Sequence, residues 1–472
     1  LRALRITLLL LGSILSGCTI HPPGEKQERD AAAQLGKPFE KQVKDRNIPP
    51  LPESPTPDQV VQFALLNNAD LEQKYWGWRA SIEQIPQDGT QSTNLNIAAG
   101  TTITKGHASW GASTVTLGND PMTDIKWPGK LDLAAKQSLE AARAAGRRFV
   151  NAKYALRGKV LGAYYDFALD AQLLRLEQAN AQLLDVVAST TAARNRAGSM
   201  GQQDVLKARN QLDLSRNDIA NLQSQLMIQQ AALNSLMDRP PQASPAMPME
   251  QPPPRAIAYT DAQLLALAAK HNPELAALAD EIAARQDGIR LAQLQYFPDF
   301  NLSVGTDLEG MAQSLLGQAT VPLFRYEAIN ASVAQAQANL RGSQAMLRQS
   351  GNDLASQVIA DIVALRDQDR QLDLFGQTIL PRIRQVIEIQ RSEYETGQGS
   401  LLEMLDAQRS LISIERLVAT LRAGRDKRLV DLEAITTVDL SSHAAKPTTL
   451  RWEPTATPEL SAQVARCCRR SI

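Results

Sequence analysis

Two carboxylates three residues apart, Glu403 and Asp406, are the side chains in this sequence best placed to do chemistry. They sit in the run Gly397-Gln398-Gly399-Ser400-Leu401-Leu402-Glu403-Met404-Leu405-Asp406, where a tight turn opens into an apolar-periodic helix. The spacing puts both on one helical face. Carboxylates gathered in this way attract cations. Ser400 and Glu403 also have the spacing of a capping box, which explains Glu403 without any ligand. The pattern has an upstream copy, Gly198-Ser199-Met200-Gly201-Gln202-Gln203-Asp204-Val205-Leu206, in which Asp204 stands where Glu403 stands in the second.

Other reactive residues are scattered. His21, His107, His271 and His443 form no metal-binding pair, and there is no Gly-x-Ser-x-Gly and no phosphate-cradling Gly loop, so an enzyme is not expected. Lys and Arg total 50, as do Asp and Glu, leaving no basic surplus to neutralise the phosphates of a nucleic acid. Cys467 and Cys468 lie in a basic terminal stretch without further ligands at metal spacing. Cys18 has a different context: Arg2 and Arg5, then the apolar run Ile6 to Ile14, then Leu15-Ser16-Gly17-Cys18. Residues 1–17 read as a signal peptide. The tetrad resembles the processing site of bacterial lipoprotein precursors. That resemblance implies a thioether-linked diacylglycerol on Cys18, with acylation such as palmitate, and Thr19 at the next position implies sorting to the outer membrane. No other cofactor is expected.

These residues are positioned by a duplicated plan. A repeat of about 200 residues divides the chain into residues 57–237 and 260–438. Around them lie an extended, proline-bearing N-terminal tether (18–56), a Pro-rich connector (238–259) and a Ser/Thr/Ala/Pro-rich disordered tail (439–472). Each half opens with a helix, Thr56 or Pro57 to Ser81 and Thr260 to Tyr296, that stops at a proline, Pro86 or Pro298. Period-two alternation follows: Leu95 to Ile103 with a return over Trp110 to Leu117 after a turn at Lys105-Gly106-His107, then Phe300 to Thr306 with a return over Gly317 to Leu323. Long helices come next, about Lys130 to Arg196 and Tyr326 to Thr396, each reversing at one of the two turns. At ~1.5 Å per residue such a helix spans roughly 100 Å. Val205, Leu212, Ile219, Leu226 and Leu233, and Met404, Leu411, Val418 and Leu432, give the return helices a seven-residue, coiled-coil seam, which Arg425 and Arg428 interrupt.

No stretch beyond the signal offers the ~18 consecutive apolar residues of a membrane-spanning helix. Two strands per half make about four per chain, too few to close a barrel, so strands that meet lipid must be pooled among two, three or four copies. The fold class expected is therefore mainly α with a small β part.

The tandem halves, Asn272-Pro273-Glu274-Leu275, Tyr296-Phe297-Pro298, Val321-Pro322-Leu323-Phe324 and Gly397 to Leu411 together resemble the TolC-like outer-membrane efflux factors, in their lipoprotein branch, over about residues 57 to 438. That resemblance implies a homotrimer with a twelve-stranded barrel in outer-membrane lipid and a periplasmic α-helical tunnel, docked to a periplasmic adaptor and an inner-membrane pump. It implies a gated efflux duct for small molecules or metal ions. A type I protein-secretion duct of the same fold and a lipid-anchored coiled-coil spacer are the alternatives. It further implies a periplasmic gate at Glu403, Asp406, Tyr394 and Asp204, with the tip glycines Gly198 and Gly397 meeting the adaptor. An Arg expected in the second turn is replaced by Gly399.

Overall fold

The computed structural model describes residues 19–52, 54–91, 95–104, 107–119, 124–243, 255, 259–307, 313–396 and 398–440. The acylation site Cys18, the tip glycine Gly397 and the terminal Cys467 and Cys468 lie outside the described residues. In chain order the elements are α1 (Glu25–Gly36), α2 (Pro57–Asn67), α3 (Ala69–Gly89), β1 (Leu95–Thr104), β2 (His107–Asn119), α4 (Pro128–Arg196) and α5 (Gln202–Leu236). The second half supplies α6 (Asp261–His271), α7 (Pro273–Gln293), β3 (Asp299–Asp307), β4 (Gln313–Thr320), α8 (Tyr326–Leu372), a π-helical segment (Asp373–Ile379), α9 (Leu380–Thr396) and α10 (Leu401–Thr436). None of the described helices is long and apolar enough to cross a membrane.

The chain divides into two compact units, each drawing on both halves. One takes its described residues from Leu1–Glu40, Gln73–Phe149 and Pro273–Ser350. Here the four strands form one antiparallel sheet in the order β1-β2-β3-β4. The seam between halves is β2 with β3, paired from Thr114↔Asp307 to Gly118↔Ser303. At Gly118 a Cβ would come within 2.5 Å of the Ser303 Cβ and 2.9 Å of the Leu302 carbonyl, so close strand approach requires glycine. The outer strands β1 and β4 are the sheet edges. Helices α4 and α7 are joined by ion pairs of Arg147 with Asp280 and of Arg148 with Glu281 (2.6 Å).

Two expectations fail in this unit. The N-terminal segment is not extended: α1 and a short 3-10 turn at Lys37–Glu40 occupy its part of this unit, and a further 3-10 turn at Val43–Asp45 falls in the second. Its prolines fall outside α1, and buried Ala32 and Phe39 give the segment an apolar face. Pro86 does not end α3 either, which runs on to Gly89. Only one hydrogen bond is forfeited so near the helix end, and the flanking Ile82 and Ile85 are fully buried.

The second unit draws on Lys41–Glu72, Val150–Asn272 and Gly351–Ile472. Its duplication extends to single hydrogen bonds. Thr56 with Gln59, and Thr260 with Gln263, close matching capping boxes on α2 and α6. Asn68 donates its side-chain amide to Leu236 O at the end of α5, and Asn272 donates to Ile435 O at the end of α10. Of the heptad residues, Val205, Leu212, Leu233, Met404 and Leu432 are buried, and Ile219, Leu226, Leu411 and Val418 are half-buried.

The seam breaks where the arginines predicted. Buried Arg425 meets Asp369 (2.5 Å) and Asp426 (3.1 Å), and Arg428 reaches Asp361 (3.1 Å). Below them Glu433, 1% exposed, is held by Arg157 (2.7 Å) and by Arg255 of the connector (2.9 Å). Burial pushes the Asp426 and Asp361 carboxyls up despite these partners. Such a network is costly to break by removing one member, because the remaining charge stays buried.

The halves also differ along their long helices. The first long helix is unbroken, whereas the second carries the seven-residue π-helical segment, with Leu380 N–H bonded to Phe375 O. Pro381 explains it: a proline cannot donate to the carbonyl four residues back and its ring crowds that carbonyl, so the preceding turn widens.

Candidate functional site

The two turns reverse α4 into α5 and α9 into α10, and they are closed by different means. In the first, Gly198 adopts φ 72°, Ser199 N–H bonds to Arg194 O (2.9 Å) and Gly198 N–H to Asn195 O (2.9 Å). This is a Schellman motif, and its left-handed residue favours glycine. In the second, Gln398 and Gly399 both donate to Glu393 O at 2.9 Å. A Cβ on Gly399 would lie 2.9 Å from the Glu393 Cβ and 3.0 Å from Tyr394 N. Gly399 is thus fixed by backbone approach to α9, a constraint that its place beside Ser400 did not reveal.

Beneath the turns the four helices share one apolar core that includes Leu184, Val187, Leu212, Ile387, Met404 and Leu405. Tyr394 is buried in it, with its hydroxyl 3.0 Å from Thr191 Oγ1. Thr191 already donates to Val187 O (2.8 Å), so the phenol is the donor between them. The Arg194 guanidinium lies 4.7 Å from the Tyr394 ring centroid and donates to Tyr394 O (3.1 Å) and Glu395 O (3.3 Å). A cation on the last carbonyls of α9 is favourable for the helix dipole. Tyr394 therefore ties the end of the first half's long helix to that of the second. Thr191 and Arg194 were missed because their partner lies about 200 residues away; the cue in the sequence was only their place in the last turns before Gly198.

The carboxylates are arranged differently from the capping box that the sequence proposed. Ser400 accepts from Leu402 N–H (3.2 Å) rather than from Glu403. That leaves Glu403 exposed on the same face as Asp406, which is also exposed and forms a 3.3 Å ion pair with Arg409. Arg409 in turn donates to Gln211 on α5 (2.9 Å). Asp204 lies in the first turn of α5, where Gly201 provides no side-chain cap and a carboxylate favours the helix N-terminus. Glu403 and Asp406 come together; Asp204 remains with its own helix, and Tyr394 lies inside the core. Among the described residues no group of three or more His, Cys, Asp or Glu could hold a metal ion.

Deeper in the same bundle runs a buried polar seam that sequence reading did not single out. Ser215 donates to Glu177 Oε1 (2.6 Å), Asn180 donates to the same oxygen (3.0 Å), and Gln408 donates to Asn180 Oδ1 (3.0 Å). All four are buried, and they join α4, α5 and α10.

Two helical hairpins tied through buried polar links and a four-stranded sheet with two open edges are the main parts of the described chain. The model of the outer membrane efflux protein family matches residues 60–238 and 264–437, and the chain belongs to that family. Over 397 residues it is 24% identical to the pyoverdine export outer membrane protein OpmQ of Pseudomonas putida, covering 79% of this chain and 83% of that protein. It is 26% identical over 409 residues to the outer membrane protein OprJ of Pseudomonas aeruginosa, covering 79% and 82%. Its fold matches the Campylobacter jejuni CmeC outer membrane channel with a TM-score of 0.70 at 14% identity, covering 82% of this chain and 86% of that one.

Proposed function

We propose that this protein is the outer-membrane duct of a tripartite export system, a passive gated conduit that catalyses no reaction. Family membership supplies the outer-membrane efflux role, and the four-stranded sheet with two open edges carries the rest. Unpaired edges cannot be left in hydrocarbon, so several copies must pool their strands; three copies, the number that the family resemblance implies, would make one barrel of about twelve. An adaptor at the helical turns around Gly198 and Gly397, and an inner-membrane pump beyond it, complete the path. Cys18 carries the diacylglycerol that adds a lipid anchor.

The gate lies at the turns. Glu403 and Asp406 are exposed on one face and so are available to a ring built from several copies, while Tyr394, Thr191 and Arg194 hold the hairpins shut. The test is conductance of the purified full chain in a planar bilayer with divalent cations added. Asp406→Ala should weaken cation block, and Arg409→Ala, which removes the paired positive charge, should strengthen it. Block unchanged in both variants removes Asp406 from the constriction, and absence of any conductance in the parent overturns the duct.

A further inference from the structure

The polar seam below the turns lies in a bundle whose core residues, among them Leu184, Val187, Leu212, Met404 and Leu405, are apolar. Its centre is a carboxylate. Glu177 is 3% exposed, and its Oε1 accepts from Ser215 of α5 at 2.6 Å and from Asn180 at 3.0 Å. Asn180 turns its amide N–H to Glu177 and its Oδ1 to Gln408 of α10 at 3.0 Å. Gln408 thus joins the second hairpin to a network that is otherwise internal to the first. In this arrangement none of the four residues leaves a buried side-chain atom without a partner.

Two arginines bracket Gln408's end of the seam along α10. Arg409 donates to Gln211 (2.9 Å) and Arg416 to Asp218 (3.5 Å), and Arg416 Nη1 also lies 3.8 Å from Glu177 Oε2. Each of the two α5 pairs joins residues 198 positions apart, so α5 and α10 hold a single register over this heptad. The apolar positions do not select that register by themselves. Met404, Leu411 and Val418 replace one another after a slip of seven residues, apolar for apolar. The polar positions do not tolerate it. A slip of one heptad brings Leu401 or Glu415 to the place of Gln408. Leucine has no donor for Asn180 Oδ1, and glutamate sets a second carboxylate beside that of Glu177. Buried polar groups stripped of their partners are costly, and a polar residue at a core position of packed helices specifies register for that reason.

We infer that Glu177, Asn180, Ser215 and Gln408 form a register lock, which fixes α10 lengthwise against α4 and α5 and so sets the height of Glu403 and Asp406, on the same helix as Gln408. They are positioning residues, and this role rests on the gate proposed above. The turns can open by parting Tyr394 and Arg194 from their partners, and the lock excludes a lengthwise slide of α10 as the route.

The test uses the full chain purified from membranes, with Cys467→Ser and Cys468→Ser. Cysteine pairs are joined by a short bifunctional thiol reagent, and links within one chain are read at monomer mobility and by peptide mass. Gln211→Cys with Arg409→Cys reports the native register, and Gln211→Cys with Leu402→Cys or with Arg416→Cys reports a slip of one heptad in either direction. With the seam intact the first pair should link and the other two should stay at background. Gln408→Leu should lower the thermal midpoint and bring up a slipped link. Asn180→Leu combined with Gln408→Leu replaces both partners by apolar groups, so it should return the midpoint toward the parent while the slipped link persists. A merely structural role would restore both together. Slipped links absent from both variants overturn the lock. In single-channel records the double variant should show several conductance levels that differ in divalent block; one level with the parent's block, beside slipped links, overturns the positioning of the gate. A parent without conductance fails the duct itself, and the cross-links still decide the lock.

Discussion

At the scale of the residue, two polar pairs, Tyr394 with Thr191 and Glu28 with Trp78, have partners that are not equivalent. Tyr394→Phe removes a donor from Thr191 Oγ1, but that oxygen keeps its bond to Val187 O, so the loss is one hydrogen bond, about 1 kcal/mol. Thr191→Val strands the phenol in the core, at a cost of ~1–3 kcal/mol. Thermal unfolding should therefore rank Thr191→Val below Tyr394→Phe, and both should open more often than the parent in single-channel records. The reverse rank would mean that the hydroxyl of Tyr394 is bonded elsewhere. On α1, burial pushes the Glu28 carboxyl up against the pull of the Trp78 donor. A raised folded-state value means that the stabilising contribution is complete at low pH and is lost as pH rises through that value. Glu28→Gln keeps an acceptor for Trp78 and removes the charge, so it should raise the unfolding midpoint at pH 8 and leave it unchanged near pH 4. An equal rise at both would place the effect in packing rather than ionisation.

Elements show where local sequence suffices and where it does not. The helix starts at Pro57 and Asp261, the turn at Gly198 and the buried heptad residues Val205, Leu212, Leu233, Met404 and Leu432 depend on residues within a few positions of one another and are legible in the chain, whereas the capping box read at Ser400 and Glu403 does not form, because Ser400 accepts from Leu402 instead. The second long helix reads as continuous from Tyr326 to Thr396 in the sequence, and the π-helical segment is marked there only by Gly376 within it and Pro381 two residues past its end. Pro381→Ala should let α8 and α9 join in regular α-helical bonding. Proline in a helix interior costs ~3 kcal/mol, so amide exchange over 375–381 should slow by up to about two orders of magnitude. Unchanged exchange would assign the segment to its packing against α10 instead. The N-terminal segment was misread as extended for the opposite reason. Its own residues are polar and proline-bearing, and its apolar partners Tyr75, Trp78 and Phe149 come from helices far along the chain, where local periodicity cannot look. The tie from Tyr394 to Thr191 was hidden likewise, whereas the Glu403 and Asp406 pair was visible from spacing alone.

For the whole molecule the deciding quantity is the number of strands that stay in register. Both halves contribute a hairpin, and the sheet becomes four-stranded only through the five residue pairs between β2 and β3. Hairpins of two strands are marginal on their own, so this short seam governs whether a copy offers a usable part of a barrel. Gly118 lies at its end against Ser303 and the Leu302 carbonyl. Gly118→Val cannot fit there without parting the strands, yet it touches none of the helices that bury the polar seam and the gate. The variant should keep its helical circular dichroism and lose the oligomer proposed above together with its conductance, because two separated hairpins leave more edges than the pooled copies can close. A variant that still conducts as a trimer would show that the barrel closes without the β2 and β3 pairing, and the count of four pooled strands per copy would fail with it.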